Sequence, residues 1–345
     1  MSKLRESLRA RYRPLVLLTA LTVIVLVLPV FGHDYILYIV VGILILSLFS
    51  LSVNLLLGYT GLLSFGQAAF FGVGAFAAAK LLLTFANLPL AMIAGAAAAA
   101  LAALGLGFIC VRHTAIYFAM LTLAFGMLFH AGVQKVEPII SVIAGTEVEQ
   151  GTWFGGAWGL LDIPRGTIFN FPMDSLVNYY YFTVIITGIA IFLFYRLVHS
   201  PLGLTFRGVR DSESRLAYSG ISVRNTRLLS FVIAGIYAGL AGALRTGFLG
   251  NVDPNVFHWS TSASPVIATL LGGMHTFGGP IVGAAIYYMI QDLVFRYTLV
   301  WQLAVGLVII ALVLGLPGGV VGSMEQRFLP KLRAYFFRES GKEIS

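Results

Sequence analysis

Of the 345 residues in the chain, 59% are hydrophobic and only 10% charged, whereas soluble domains carry about 25% charged residues. That balance excludes an ordinary soluble domain. The net charge of +8 does not call for a nucleic-acid partner, because most of the basic residues are gathered in three segments that flank apolar runs.

Apolar runs of roughly 17 to 25 residues, the length that crosses a hydrocarbon core of about 30 Å as a helix, recur from Leu15 almost to Pro317. They are apolar on every side, whereas a membrane β-barrel needs short segments that alternate apolar and polar. The expected fold is therefore an all-α polytopic membrane protein with about ten transmembrane helices, within a range of eight to eleven. In chain order the predicted spans are 15–31, 35–57, 67–85, 88–110, 116–133, 179–198, 228–249, a short piece at 262–271, 280–295 and 299–316. The first is read as a retained helix, because Leu28-Pro29-Val30-Phe31 offers no small-residue cleavage site. At about 1.5 Å per residue, 262–271 covers only about 15 Å, so it is half a helix or part of a longer tilted one.

Most of the 22 Lys and Arg lie in three places: the tail 1–14 (Lys3, Arg5, Arg9, Arg11, Arg13), the connection 199–227 (Arg207, Arg210, Arg215, Arg224, Arg227) and the tail 323–345 (Arg327, Lys331, Arg333, Arg338, Lys342). The connection 134–178 has only Lys135 and Arg165, against Glu137, Glu147, Glu149, Asp162 and Asp174. Basic loops stay on the cytoplasmic side, so both tails and 199–227 are expected inside and 134–178 outside. Residues 15–322 then form one transmembrane domain.

The run GYTGLLSFGQAAFFGVGAFAAA, 58–79, is too apolar for an exposed loop and too rich in glycine for an ordinary helix. An unpaired backbone group in lipid costs several kcal/mol, about 2–7, so a glycine-broken segment belongs inside the bundle. Breaks and polar groups coincide from Tyr59 to Gln67, which makes Tyr59, Ser64, Phe65 and Gln67 candidate pathway residues. From Gly72 to Ala79 the small residues read as a close-packing face. A similar series follows later: Leu270-Leu271-Gly272, then Thr276-Phe277-Gly278 and another Gly-punctuated run. The expected topology makes the two series either parallel repeats, with Thr276, Phe277 and Gly278 as counterparts of the first break, or a chance likeness between two Gly-rich segments. Transporters often place substrate paths where interrupted helices of two repeats meet.

Enzymatic constellations are missing. The six histidines show no metal-ligand spacing, and the sequence has no GxSxG elbow, no CxxC and no GxxxxGK[ST] phosphate loop. Cys110 is the only cysteine and forms no disulfide within the chain. Ionisable residues inside the spans, which gradient-driven transporters usually keep, reduce to Lys80, Arg112, Arg196, Arg245, Asp292 and Arg296, nearly all near span ends. Asp292 and Arg296 are four apart and able to pair on a helix. Arg245 is read as snorkelling outward from its helix end, with the carboxylate of a solute as the alternative partner. A midplane arginine costs about 2.5–3.5 kcal/mol on insertion scales, and one at the interface much less.

In the connection SPLGLTFRGVRDSESRLAYSGISVRNTRLLSF, 200–231, Asp211 is expected to cap a short helix through Tyr218, and Gly220 to end it in the left-handed conformation. This stretch, with its continuation to Leu244, the Asp253-Pro254 turn, LLGGMHTFGGPIVGA (270–284), the early Gly-rich segment and IYFAMLTLAF (116–125), resembles the LivM-type branched-chain amino-acid permeases of bacterial ABC importers. The likeness runs from about residue 35 to 322. It implies a complex in the bacterial inner membrane of two related permease subunits, two cytoplasmic ATP-binding subunits and a periplasmic solute-binding protein. ATP and Mg would sit in the partner ATPase, with no cofactor on this chain. The coupling segment would be Glu213 to Gly220, with Asp211, Glu213, Arg215, Ala217 and Gly220 as its candidate residues. Two departures leave the solute open among branched-chain and other amino acids, urea, short amides and organic or aromatic acids. Phe154 stands where the family's outer T-G-G-x-x-G-L pattern has threonine, and Arg245 stands where an apolar or aromatic residue is more usual. A gradient-driven secondary transporter is the competing expectation.

Overall fold

The computed structural model describes Pro29 and residues 34–323, save 114, 145–153, 157, 169–170, 298–299 and 316–317. The expected span 15–31, but for Pro29, and both basic tails lie outside the described residues. The chain is mostly helical. Helix α1 (Asp34–Asn54) continues into a wider π-helical turn, Leu55–Thr60. It is followed by α2 (Gln67–Phe85), α3 (Leu88–Cys110) and α4 (Ala115–Ala144). A two-stranded antiparallel ribbon, β1 (Thr167–Ile168) with β2 (Phe171–Pro172), precedes α5 (Leu176–Val198). Then come α6 (Pro201–Asp211), α7 (Glu213–Tyr218) and α8 (Val223–Leu249). After a 3-10 turn at Pro254–Phe257, α9 (Trp259–Gly272), α10 (Gly279–Tyr297), α11 (Trp301–Gly315) and α12 (Gly319–Ser323) complete the described chain.

Among the described residues six helices are long and apolar enough to cross a membrane, α1 with its π turn, α2, α3, α4, α5 and α8. This makes a multi-pass membrane protein; ten crossings are not established. Helices α9 and α11 are short, at 14 and 15 residues, and the continuous helix α10 carries Gln291, Asp292 and Arg296 in its last turns. The half-helix expected at 262–271 is α9, which starts three residues earlier, at Trp259, and carries Pro265 inside.

In a span without water each backbone group must be satisfied within the segment, so the helix ends are where side chains intervene. Asn87 accepts from Leu90 N at 3.1 Å ahead of Pro89 at the start of α3. Ser222 accepts from Asn225 N and starts α8 earlier than its expected beginning at 228, which brings Arg224 and Arg227 onto the helix.

Helix α8 is the hub, packed on α1, α2 and α3. The approach is close because the facing residues are small, as expected for the run from Gly72 to Ala79. A Cβ on Gly74 would lie 2.3 Å from the Gly239 carbonyl oxygen, and one on Gly239 would lie 2.2 Å from Ala99 Cβ. Hydroxyls tie the hub to its neighbours: Tyr179 donates to Leu244 O at 2.5 Å, Tyr237 to Ala190 O at 2.9 Å, and Thr246 to Ala75 O at 3.1 Å.

The described residues of the connection 134–178 hold regular structure. Helix α4 continues through Ala144, and residues 158–168 lie across the α2–α3 and α8–α9 turns. Ile163 N donates to Gly250 O at 2.9 Å and Thr167 N to Ala86 O at 2.6 Å. Gly159, with φ +75°, must be glycine, because a Cβ there would sit 2.1 Å from Val252 O.

Candidate functional site: paired helix breaks and an arginine-lined cavity

The break after α1 has a defined backbone path. Gly61 takes the left-handed conformation, φ 72°, and Leu62 N closes back on Leu56 O at 2.9 Å, the kind of closure that ends a helix on a left-handed glycine. The Thr60 hydroxyl donates to Leu56 O at 2.7 Å. Residues 61–66 are non-helical, and Ser64 Oγ accepts from Gly66 N at 3.3 Å just before α2 begins. Between α9 and α10 the non-helical residues 273–278 have the same length. They also open on a positive-φ glycine, Gly273 at 114°, and lead into a helix of 19 residues like α2.

The two breaks meet. A Cβ on Gly58 would lie 2.1 Å from Met274 O, so backbone touches backbone there and glycine is required. Tyr59 and Phe277 both pack on Phe194, at centroid distances of 6.1 and 6.0 Å. Arg210, near the end of α6, joins the two: its Nη1 donates to Gly58 O at 2.5 Å and to His275 Nδ1 at 3.2 Å. Arg207, one turn earlier, lies over the Tyr59 ring at 5.3 Å. Both breaks therefore stand at the same end of the bundle. Thr276 turns back on Gly273 O at 3.0 Å, and Gly278 meets no neighbour that would exclude a side chain.

Around Ser64, Phe65 and Gln67 the contacts are made by the residues between and after them. Gly66 lies against Thr122 O of α4, and Ala68 N donates to Ser262 Oγ of α9 at 2.8 Å. Gln67 is fully buried, and neither of its amide atoms is hydrogen-bonded; Asn54 is in the same condition. A buried polar group without a partner costs about 1–3 kcal/mol, so these amides are functional candidates rather than stabilising elements.

The connection between α5 and α8 holds two helices, not one. The sequence signal for the first was Ser200-Pro201, with proline at the first helical position. Helix α6 buries Gly203, Phe206 and Val209 on one face, which leaves Arg207 and Arg210 to reach the first break. Asp211 does not cap the short helix as expected, because α6 continues through it and its carboxylate accepts from Arg210 Nε at 3.0 Å. Ser212 takes the capping position of α7. Gly220 closes α7 as expected, with φ +82°, Gly220 N bonded to Ala217 O at 3.0 Å and Ile221 N to Leu216 O at 3.4 Å. Glu213 pairs with Arg227, whose side chain is 6% exposed, and so fixes α7 to the base of α8. Arg215 and Ala217 are exposed, and Tyr218 is 91% exposed at the tip.

Arg245 does not snorkel outward. Its Nη1 is buried and unpartnered, and the side chain lines an open cavity of about 210 Å³ between α1, α2, α8, α9 and α10. Sequence position gave its depth along the helix but not its direction: α8 turns this residue toward Tyr38, Thr261 and Tyr288. Phe71 forms part of the wall, one helical turn from Gln67 on the same face of α2. The expected pair Asp292–Arg296 forms at 3.3 Å, and Tyr35 donates to Asp292 beside it.

The predicted pathway residues thus fall into three neighbouring groups. Tyr59 and Phe277 share Phe194 at the paired breaks, Ser64 to Gln67 belong to the segment that meets α4 at Gly66 and α9 at Ala68, and Arg245 is in the cavity. Among the described residues no group of three or more His, Cys, Asp or Glu is placed to hold a metal ion.

A family model described as branched-chain amino acid transport system / permease component matches residues 35–315. The chain is 27% identical to the high-affinity branched-chain amino acid transport system permease protein LivM of Escherichia coli (strain K12), over 81% of this chain and 68% of that one. It is 25% identical to the probable branched-chain amino acid transport permease protein LivH of Methanocaldococcus jannaschii, over 81% and 89%. A shorter match, 26% identical over 48% and 52%, is to the ribose import permease protein RbsC of Bacillus subtilis. No solved structure matches the chain.

Proposed function

The chain belongs to the family of branched-chain amino acid transport system permease components, and on that premise we propose that it is the permease subunit of a binding-protein-dependent ABC importer. It moves a small amino acid-like solute inward, and branched-chain amino acids are the first choice because LivM and LivH match over most of the chain. The ribose permease match covers about half of each chain, which keeps the solute class wider than amino acids alone. A second, related permease subunit completes the membrane portion, two cytoplasmic subunits bind ATP and Mg, and a periplasmic binding protein delivers the solute. The bacterial inner membrane holds the complex with both termini of this chain in the cytoplasm.

One observation carries this reading. The short helix α7 has no buried residue and presents Tyr218 at 91% exposure, while the helix before it holds both membrane breaks through Arg210. A segment that is exposed on one side and fastened to interrupted helices on the other can carry movement from a docked ATPase into the bundle. The chain's one native cysteine, Cys110, is buried, so Tyr218→Cys supplies a single accessible thiol. In the assembled complex a short bifunctional reagent at this thiol is expected to capture the ATP-binding subunit, with a yield that changes when ATP is added. If the cross-link forms only to the binding protein, or is absent while the ATPase co-purifies, α7 is not the coupling helix.

A further inference from the structure

Arg245 is the feature of the bundle that packing does not account for. Its guanidinium is in none of the ion pairs among the described residues, and its buried Nη1 has no hydrogen-bond partner. A charge in such surroundings calls for a counter-charge, and Asp253 acts on it only from a distance, with no ion pair between them. The cavity wall supplies polar groups but no carboxylate: Thr261, Ser264, Tyr288 and Gln291 face it together with Phe49 and Phe71. Thr261 belongs to the first turn of α9, so the positive end of that helix borders the same space and adds to the arginine's field. A neighbouring depression shares Tyr38, Tyr288 and Gln291 and contains Asp292, but that carboxylate is already engaged by Arg296 and Tyr35.

We propose that this cavity is a carboxylate-recognition site, in which Arg245 binds the carboxylate of a compact solute whose branched or aromatic body lies against Phe49, Phe71 and Tyr288. The inference rests on the permease reading and narrows it. Because no acidic side chain lines the cavity, recognition depends on the carboxylate and not on an ammonium group. At about 210 Å³ the space is smaller than the usual pocket of about 300–1,000 Å³ for drug-sized ligands, which suits a body of leucine or phenylacetate size.

The test is equilibrium binding to the full chain in lipid nanodiscs, with L-leucine, 4-methylpentanoate, phenylacetate, L-leucinamide and phenylacetamide as probes. The carboxylates are expected to bind and the two amides to bind at least tenfold more weakly, while 4-methylpentanoate stays within a few-fold of leucine. Arg245→Gln is expected to lower carboxylate affinity about 10- to 100-fold, the range for a lost charge-assisted hydrogen bond, with Arg245→Lys recovering part of it. Equal binding of amides and carboxylates to the wild-type chain overturns the proposal without any variant, as does undiminished binding by a folded Arg245→Gln. If the carboxylate site fails while uptake by the assembled complex still requires its ATPase, the permease reading stands and only this site is withdrawn.

Discussion

Arg210→Met is expected to disconnect ATP hydrolysis from transport while the complex still assembles. The side chain donates to Gly58 O at the first break and to His275 at the second, and each charge-assisted bond contributes about 1.5–3 kcal/mol. Methionine keeps much of the apolar stem that lies against Gly61 and removes both bonds. An interaction of that size displaced from a two-state equilibrium shifts it about 10- to 100-fold. The expected result is solute uptake lowered at least tenfold in reconstituted vesicles, with the basal ATPase rate within about twofold of wild type. Uptake and hydrolysis falling together in proportion would show a folding defect, and unchanged uptake would remove Arg210 from the transmission path.

The second large effect separates the two halves of the segment 58–79. Gly74→Leu places a side chain where a Cβ alone would meet Gly239 O at 2.3 Å. Overpacking costs typically about 1–3 kcal/mol for added methylenes in a core that can yield; here the obstacle is backbone, so the α2–α8 contact has to open. Folded protein recovered from membranes is expected to fall severely. Gln67→Ala removes an amide with no hydrogen-bond partner, so stability is expected to hold or rise while the solute concentration for half-maximal uptake changes. If Gln67→Ala abolishes assembly and Gly74→Leu leaves it intact, the division between pathway and packing face is reversed.

The breaks themselves were legible in the sequence, because glycine, serine and threonine interrupt runs that lipid otherwise forces to be helical. Their likeness was legible too, in Ser64-Phe65-Gly66 and Thr276-Phe277-Gly278. What brings them together was not: Gly58 against Met274 O is a contact between residues more than two hundred positions apart, and no local pattern encodes it. The π-helical turn at Leu55–Thr60 is a change of hydrogen-bond register that leaves no compositional mark. Arg210 was counted with the charges that set topology, and that role masked its reach into the bundle. Helix α6 went unread although Ser200-Pro201 announced it, because the start and stop signals were sought only between Asp211 and Gly220. Arg245 shows the limit of depth arguments, since a residue near a helix end can still point inward. The capping role given to Asp211 failed for a related reason: an acid before a short helix is also the last residue of the one preceding it.

Uptake in proteoliposomes tests the central claim most directly. With labelled leucine and phenylacetate as probes, accumulation is expected only when this chain is reconstituted with its partner permease and ATP-binding subunits, with ATP at the cytoplasmic face and the binding protein at the other. Accumulation driven by a proton or sodium gradient through this chain alone, with no ATPase present, would contradict the account.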